Sequence, residues 1–204
     1  MISMIRKVGI LSVAVAVFIV LLCFGRSLIE RKLLFHPSHL PPDGVLNPWV
    51  KDGRVIGVAR TVASPKNVWL MLHGNAGQAS DRSYAIPSFS AGDSVFIIEY
   101  PGYGSREGVP SMESFNRAAC EAYLLLRSTY PGVPVCAVGE SIGSGPASFL
   151  GTLQTPPDKI VLVVPYERLS EVGKDRFPAL IVWLVLRNNW DNLQSLSKYK
   201  GLVE

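Results

Sequence analysis

Five short segments of the chain are rich in apolar residues, and glycine or proline ends four of them. They are Arg54–Thr61, Val68–Gly74, Asp93–Gly102, Val133–Gly139 and Lys159–Pro165. Continuous apolar runs of this length are typical of parallel strands that are buried on both faces. Helical patterns lie between them, and this alternation predicts an α/β protein with a mostly parallel, doubly wound sheet.

One of the connecting helices can be predicted from its first residue. Ser111 is a good N-cap, and Glu113 in the first turn suits the positive end of the helix dipole. Apolar residues then recur at helical spacing, at Phe115, Ala118, Ala119, Ala122 and Leu126. We therefore expect a helix that buries this stripe against the sheet.

The distribution of charge excludes one class of function. The net charge is +4, but residues 1–32 hold five of the 20 basic groups and one of the 16 acidic groups. The remainder is neutral, with 15 groups of each sign. A nucleic-acid-binding surface would need a basic patch on the body, so we expect no nucleic acid as partner.

The excess positive charge flanks an apolar segment. Val8 to Gly25 comprises 18 residues without a charge, about the minimum that crosses a bilayer core as a helix. The sequence "LLCFGRS" has no small-x-small cleavage site, which favours an uncleaved anchor over a signal peptide. The charges clustered at both ends of the run argue against the third alternative, a buried core helix. We predict a membrane anchor over residues 1–29 and a folded domain over 30–204. The flanking basic residues leave the orientation in the membrane open.

The cysteines, two of the histidines and two glycine-rich turns give no sign of a metal or an organic cofactor. Three cysteines cannot form a disulfide framework. His36 and His39 lie in the proline-rich segment 35–44, where no third ligand is near. The turn "GYGSREG" lacks the third glycine of a dinucleotide fingerprint, and "GNAG" lacks the lysine of a phosphate loop.

The turn "GESIG" after the fourth apolar run is the strongest chemical signal. Gly139-Glu140-Ser141-Ile142-Gly143 fits Gly-x-Ser-x-Gly, the nucleophile elbow, in which a tight strand-to-helix turn exposes the serine. The two glycines are needed because the turn leaves no room for side chains. Ser141 is the predicted nucleophile, and the amide of Ile142 is placed to stabilise an oxyanion. A close-packed turn with an idle serine is the alternative.

Two further turns can complete such a site. "LHGNAG" follows the second run, and Asn75 or Ala76 could supply the second oxyanion amide. His73 is interpreted as a structural residue that ties this loop to the neighbouring turn. Tyr100 and Tyr103, after the third run, are expected to form a flat apolar wall of the pocket.

The motifs "LLFHPS", "LHGNAG", "EYPGYGSREGVPS", "VGESIGSG" and "VPYERL" occur in one order over about residues 30–200. Together they resemble the membrane-anchored α/β-hydrolase-domain serine hydrolases, close to the serine aminopeptidase-like branch. The resemblance implies an α/β-hydrolase fold, Ser141 as nucleophile, and an oxyanion hole of Asn75, Ala76 and Ile142. It implies ester or thioester substrates, on lipids or on acylated proteins, and no cofactor. The segment Phe177–Trp190 corresponds to a lid or a packed helix, which could touch the membrane.

The chain departs from this family at the triad. The order should be Ser, then Asp or Glu, then His, but His36, His39 and His73 all precede Ser141. No acid after Ser141 ends a seventh strand, so the sequence reads as lacking the last strands and helix. Two functions stay open: a serine hydrolase whose sequence is incomplete, or an inactive truncated pseudo-hydrolase that acts as a membrane-tethered binding domain. We expect the chain with this sequence to be inactive, because it lacks the triad histidine. We also expect Ile160–Val164 to form an unprotected sheet edge that promotes aggregation.

Overall fold

The computed structural model describes residues 25–42 and 44–204. Residues 25–34 are helical (α1), and Phe35 follows as a buried residue of the main core. The predicted apolar run therefore lies outside the described residues except for Gly25. Among the helices that the structure describes, none has the length and apolar character needed to cross a bilayer.

The core of the fold is a seven-stranded mixed sheet. Its strands are β2 (Asn47–Lys51), β3 (Arg54–Arg60), β4 (Val68–Leu72), β6 (Ser94–Ile98), β7 (Val135–Glu140), β8 (Lys159–Val163) and β9 (Leu202–Val203). Their order is β2-β3-β6-β4-β7-β8-β9. The pairs from β6 to β9 are parallel, while β2 and β3 form an antiparallel flank.

All five strands that the apolar runs predict are present, as β3, β4, β6, β7 and β8. A separate two-stranded parallel pair joins β1 (His36–Pro37) to β5 (Ala76–Gly77). The surrounding prolines do not predict regular structure at His36. The pairing is possible because it does not use an N–H group from Pro37, which has none. The N–H of the next residue, Ser38, donates to Gly77 O at 2.8 Å.

The helices cover one face of the sheet more fully than the other. They are α2 (Met112–Thr129), α3 (Ser144–Leu150), α4 (Leu169–Lys174), α5 (Ala179–Val185) and α6 (Asn192–Leu196). The face with Leu70 and Ala137 packs on α2 and α3 in the larger core cluster. The opposite face, with Met71 and Val138, is covered by the 3₁₀ segment Ala79–Ser88.

The helix predicted from Ser111 is confirmed as α2. The Ser111 hydroxyl accepts a hydrogen bond from Ser114 N–H at 3.0 Å, and the predicted apolar stripe is buried. The stripe lies in the larger core cluster because its spacing keeps it on one face of the helix.

The end of the sheet differs from the expectation of a bare edge at Ile160–Val164. Leu202 and Val203 pair in parallel with Lys159 and Ile160. Leu162 N–H also donates to Glu204 O at 2.7 Å. The expectation is wrong because a two-residue strand leaves no readable apolar pattern. Within the described residues, the sheet therefore extends one strand beyond β8.

Candidate functional site

Ser141 lies at the carboxyl end of β7, in the tight turn that leads into α3. Its φ of 51° places a non-glycine residue in the left-handed region, which carries a backbone strain. The residue is exposed, and a 3₁₀ turn, Ser141–Gly143, continues directly into α3. This is the geometry that the Gly-x-Ser-x-Gly spacing predicts for the turn.

The two glycines permit the turn because of close backbone approaches. A Cβ atom on Gly143 would lie 2.1 Å from Leu72 O and 2.7 Å from His73 O. A Cβ atom on Gly139 would lie 2.7 Å from the Cβ of Ala147. The turn is thus pressed between the end of β4 and the first turns of α3, and side chains at either position would force them apart.

A cavity of about 780 Å³ opens beside Ser141. Asn75 and Ile142 line it together with Ser141, so the structure brings three of the predicted site residues to one place. Its other walls come mainly from α1, α4 and α5, and they are largely apolar. Ala76, the fourth predicted residue, is exposed and is not part of the lining.

The loop that carries Asn75 is held on both sides. The side-chain amide of Asn75 donates to Leu34 O at the end of α1, at 3.1 Å. The backbone carbonyl of Asn75 accepts hydrogen bonds from the Tyr103 hydroxyl at 2.8 Å and from His36 N–H at 3.0 Å. The position of this loop relative to Ser141 is therefore set by α1, by β1 and by the turn after β6.

Tyr100 and Tyr103 do not form a wall of this cavity. Both are fully buried, and Tyr100 stacks on Phe115 with ring centroids 3.7 Å apart. The Tyr100 hydroxyl donates to His73 O at 3.1 Å, so both tyrosines support the loop from beneath. Burial raises the pKa of Tyr100 well above its usual range, which keeps this donor protonated.

His73 occupies a structural position in the fold. Its ring is fully buried, Nδ1 lies 2.8 Å from Gly74 O, and Nε2 lies 3.6 Å from Glu99 Oε1. Among the described residues that line the cavity there is no histidine. His39 Nδ1 contacts Gly104 O at 2.8 Å, in the turn after β6. Within the described part of the chain, no imidazole is thus placed in the cavity to act as general base for Ser141.

The sequence analysis missed an ion pair beneath the elbow. Arg82, buried in the 3₁₀ segment, places Nε 2.8 Å from Glu140 Oε2. The same carboxylate oxygen accepts from Gly74 N–H at 3.1 Å, and Arg82 Nη2 donates to Ala76 O at 2.8 Å. One pair thereby joins the residue before Ser141 to both ends of the oxyanion-side loop. The only sequence signal was a charged residue at the first x of Gly-x-Ser.

The protonation state of Glu140 follows from this pairing. Burial by itself would raise the pKa of Glu140, but the hydrogen bond and charge of Arg82, with the Gly74 amide, lower it below its ordinary value. The carboxylate is therefore ionised at neutral pH. Elsewhere in the described residues, no group of three or more histidine, cysteine or acidic side chains could hold a metal ion.

Comparison with known proteins finds relatives that include an uncharacterized protein and a lysophosphatidylserine lipase. It is 35% identical over 189 residues to the uncharacterized protein Rv2307c of Mycobacterium tuberculosis, covering 85% of this chain and 67% of that protein. It is 28% identical to the lysophosphatidylserine lipase ABHD12 of Danio rerio, over 68% of this chain and 38% of that lipase. The chain thus spans well under half the length of that lipase. No protein-family model matches.

Two solved structures share the fold at low identity. An alpha-beta hydrolase from Vibrio vulnificus has a TM-score of 0.60 at 16% identity. The match covers 72% of this chain and 61% of the hydrolase chain. An esterase from Pyrococcus furiosus has a TM-score of 0.59 at 13% identity and covers 83% of this chain and 75% of its own. At these identities, the likeness shows the fold alone.

Proposed function

On the basis of its α/β-hydrolase fold, we propose that the chain is a serine hydrolase that cleaves acyl ester or thioester bonds. Ser141 is the proposed nucleophile. The observation that carries the proposal is its strained, exposed position at the end of β7, within a cavity shared with Asn75 and Ile142. Its motifs resemble those of the serine aminopeptidase-like branch, and we propose that branch for it.

The proposed reaction starts with attack of Ser141 Oγ on the acyl carbonyl carbon. The Oγ–C bond forms as the carbonyl oxygen becomes an oxyanion, and the hydroxyl proton passes to a general base, for which the test below supplies imidazole. This base later returns the proton to the leaving alcohol or thiol. The amide of Ile142, with that of Asn75 or Ala76, stabilises this charge. Collapse of the intermediate expels the alcohol or thiol and leaves an acyl-enzyme, which water hydrolyses.

The apolar lining of the cavity supports an acyl chain as the group recognised. Leu34, Leu169, Val182 and Leu186 are among its walls, and a hydrocarbon chain gains by leaving water for such a surface. One relative is named for hydrolysis of a lysophospholipid, which fits a lipid ester as substrate. An acylated protein would present the same chemistry.

We further propose that residues 1–29 anchor the enzyme in a membrane.

The test is ester hydrolysis by the full chain with imidazole added as an external base. Without imidazole, we expect no turnover of a short-chain p-nitrophenyl ester above a Ser141→Ala control, because no histidine among the described residues lines the cavity and a serine without a general base loses on the order of ten-thousandfold in rate. Added imidazole should restore turnover in the wild type and in Ser105→Ala, an exposed serine of another glycine-rich turn. Imidazole itself cleaves p-nitrophenyl esters, so each rate is corrected for the rate with imidazole and no protein. Turnover above that background in Ser141→Ala would refute the assignment.

A second candidate function is a non-catalytic, membrane-tethered binding domain. The observation that favours it is the lack of histidine among the described residues lining the cavity. It predicts binding of a fatty acid or lipid ester with no imidazole-dependent turnover. The hydrolase predicts both binding and rescue.

A further inference from the structure

Helix α5 exposes several large apolar side chains to solvent. Trp183 is 74% exposed and Leu180 is 64% exposed, and Leu184 is nearly half exposed. Val182 is the buried residue that attaches the helix to the protein. A short helix that buries one residue and exposes large apolar ones is not explained by packing within this chain.

Helix α1 is fastened beside α5 and extends the same surface. The Arg26 guanidinium donates to Trp183 O at 3.2 Å and to Val185 O at 3.3 Å, at the carboxyl end of α5. Glu30 is 2% exposed, and its carboxylate accepts from Asn188 N–H at 2.7 Å and from Arg187 N–H. The exposed apolar residues of α1 are therefore fixed next to those of α5.

We call this surface the α1–α5 face. It consists of Leu28, Ile29 and Leu33 on α1 and Leu180, Trp183 and Leu184 on α5, each at least 43% exposed. The face adjoins the cavity of Ser141, because Ile29 and Leu33 belong to both, and Ile181 of α5 lines the cavity too. An occupant of the face would thus be next to the opening that leads to Ser141.

The chain itself indicates what covers the face. The uncharged run that begins at Val8 ends at Gly25, the first residue of α1, and it has the length of a bilayer core. Arg26, Arg31 and Lys32 follow within α1, and basic residues together with tryptophan are enriched at the membrane–water interface. The proposed anchor would leave the bilayer at Gly25 and so keep α1, and α5 fastened to it, at the interface.

We propose that the α1–α5 face lies in the interfacial layer of a phospholipid bilayer and that the Ser141 cavity opens toward the lipid. Acyl chains then enter past Ile29 and Ile181 without crossing water. The docking of the face rests on the proposed anchor, and the second part rests also on the proposed hydrolase function.

The exposed tryptophan provides the test. The full chain is reconstituted in phosphatidylcholine and phosphatidylglycerol vesicles in which part of the lipid carries brominated acyl chains. Trp49 and Trp190 are buried and Trp69 lies half-buried on the sheet, so Trp183 is the one that the face would place against lipid. We expect brominated lipid to quench a part of the emission that Trp183→Phe removes, while Trp69→Phe retains the quenching.

Each other outcome is informative. Equal fractional quenching in wild type and Trp183→Phe overturns the proposal, as does a Trp183 emission that aqueous acrylamide quenches as freely in vesicles as in unfolded protein. A Trp183 shielded from both quenchers also overturns it, since protein, such as a second copy, then covers the face. If Ser141 proves unreactive while Trp183 is still quenched by lipid, the hydrolase function fails and the docking stands.

Discussion

Gly143 is the residue at which the end of β4, the elbow and α3 meet. Its missing Cβ lets Leu72 O and His73 O approach the turn, and this approach fixes where Ser141 projects. The spacing Gly-x-Ser-x-Gly was sufficient to predict this from sequence, because few backbone arrangements need two glycines there. The Arg82–Glu140 pair was not predictable, because its partners lie 58 residues apart and only the fold brings them together.

Gly143→Val should destabilise the protein strongly. The new Cβ would lie 2.1 Å from Leu72 O, so strand and elbow must separate, and overpacking of this kind costs about 1–3 kcal/mol or more. Urea unfolding followed by circular dichroism measures the loss. Gly92→Ala is the control, because its Cβ would meet only the flexible Lys66 side chain at 3.5 Å. Equal stability of the two variants would contradict the packing described for the elbow.

Glu140→Gln should show a stability defect that depends on pH. The pKa of Glu140 is lowered in the folded protein, so the unfolded chain binds its proton more readily and the ionised pair stabilises the fold above the unfolded pKa, near 4.5. That stabilisation is lost as the pH falls through the folded value. The gap in unfolding free energy between wild type and Glu140→Gln should therefore narrow from pH 6 to pH 3. A gap that stays constant would show that the carboxylate charge is not involved. Glu171→Gln, at an exposed i,i+3 pair, is the control.

At the scale of elements, the apolar runs predicted five strands, because burial on both faces leaves a continuous pattern in the sequence. The antiparallel strand β2 left no such pattern, since "NPWVK" contains a proline and is largely exposed. The packing of α1 on α5 was also not predictable. It depends on contacts between residues more than 150 positions apart: Arg26 binds carbonyls of α5, and the buried Glu30 carboxylate binds amides just after that helix.

Glu30→Ala should release α1 from the segment after α5. The substitution leaves the amides of Arg187 and Asn188 without their charged acceptor, and a hydrogen bond to a charged group contributes about 1.5–3 kcal/mol. Hydrogen exchange should rise at residues 186–190 and in α1, while α2 keeps its protection. Glu113→Ala removes an exposed carboxylate and serves as control. Unchanged exchange at Asn188 would show that Glu30 does not hold the two elements together.

At the scale of the whole molecule, the proposed anchor would place the apolar N-terminal run in the membrane and the domain built on the sheet in water. The doubly wound arrangement was predictable from the alternation of strands and helices. The uneven cover of its two faces was not, since the 3₁₀ segment Ala79–Ser88 carries a proline and little amphipathic pattern. Next to that segment, Trp69, Phe89 and Val161 line a groove of about 480 Å³.

The protein should behave as an integral membrane protein. The uncharged run from Val8 to Gly25 matches the bilayer core in length, and no cleavage motif follows it. After carbonate extraction of membranes, we expect the protein in the pellet with its original N-terminus. A variant with Val15 and Val17 both replaced by lysine is the control, and it should move to the soluble fraction. Recovery of the wild type in the soluble fraction, or a mature N-terminus near Ser27, would contradict the anchor.

The claim on which the account depends is that Ser141 is a nucleophile, and the site of a covalent adduct tests it most directly. The full chain is treated with a fluorophosphonate in the presence of imidazole, digested, and mapped by mass spectrometry. We predict one modified serine, Ser141, with the adduct absent in Ser141→Ala and retained in Ser105→Ala. An adduct on another serine, or none under conditions in which the protein is folded, would contradict the account.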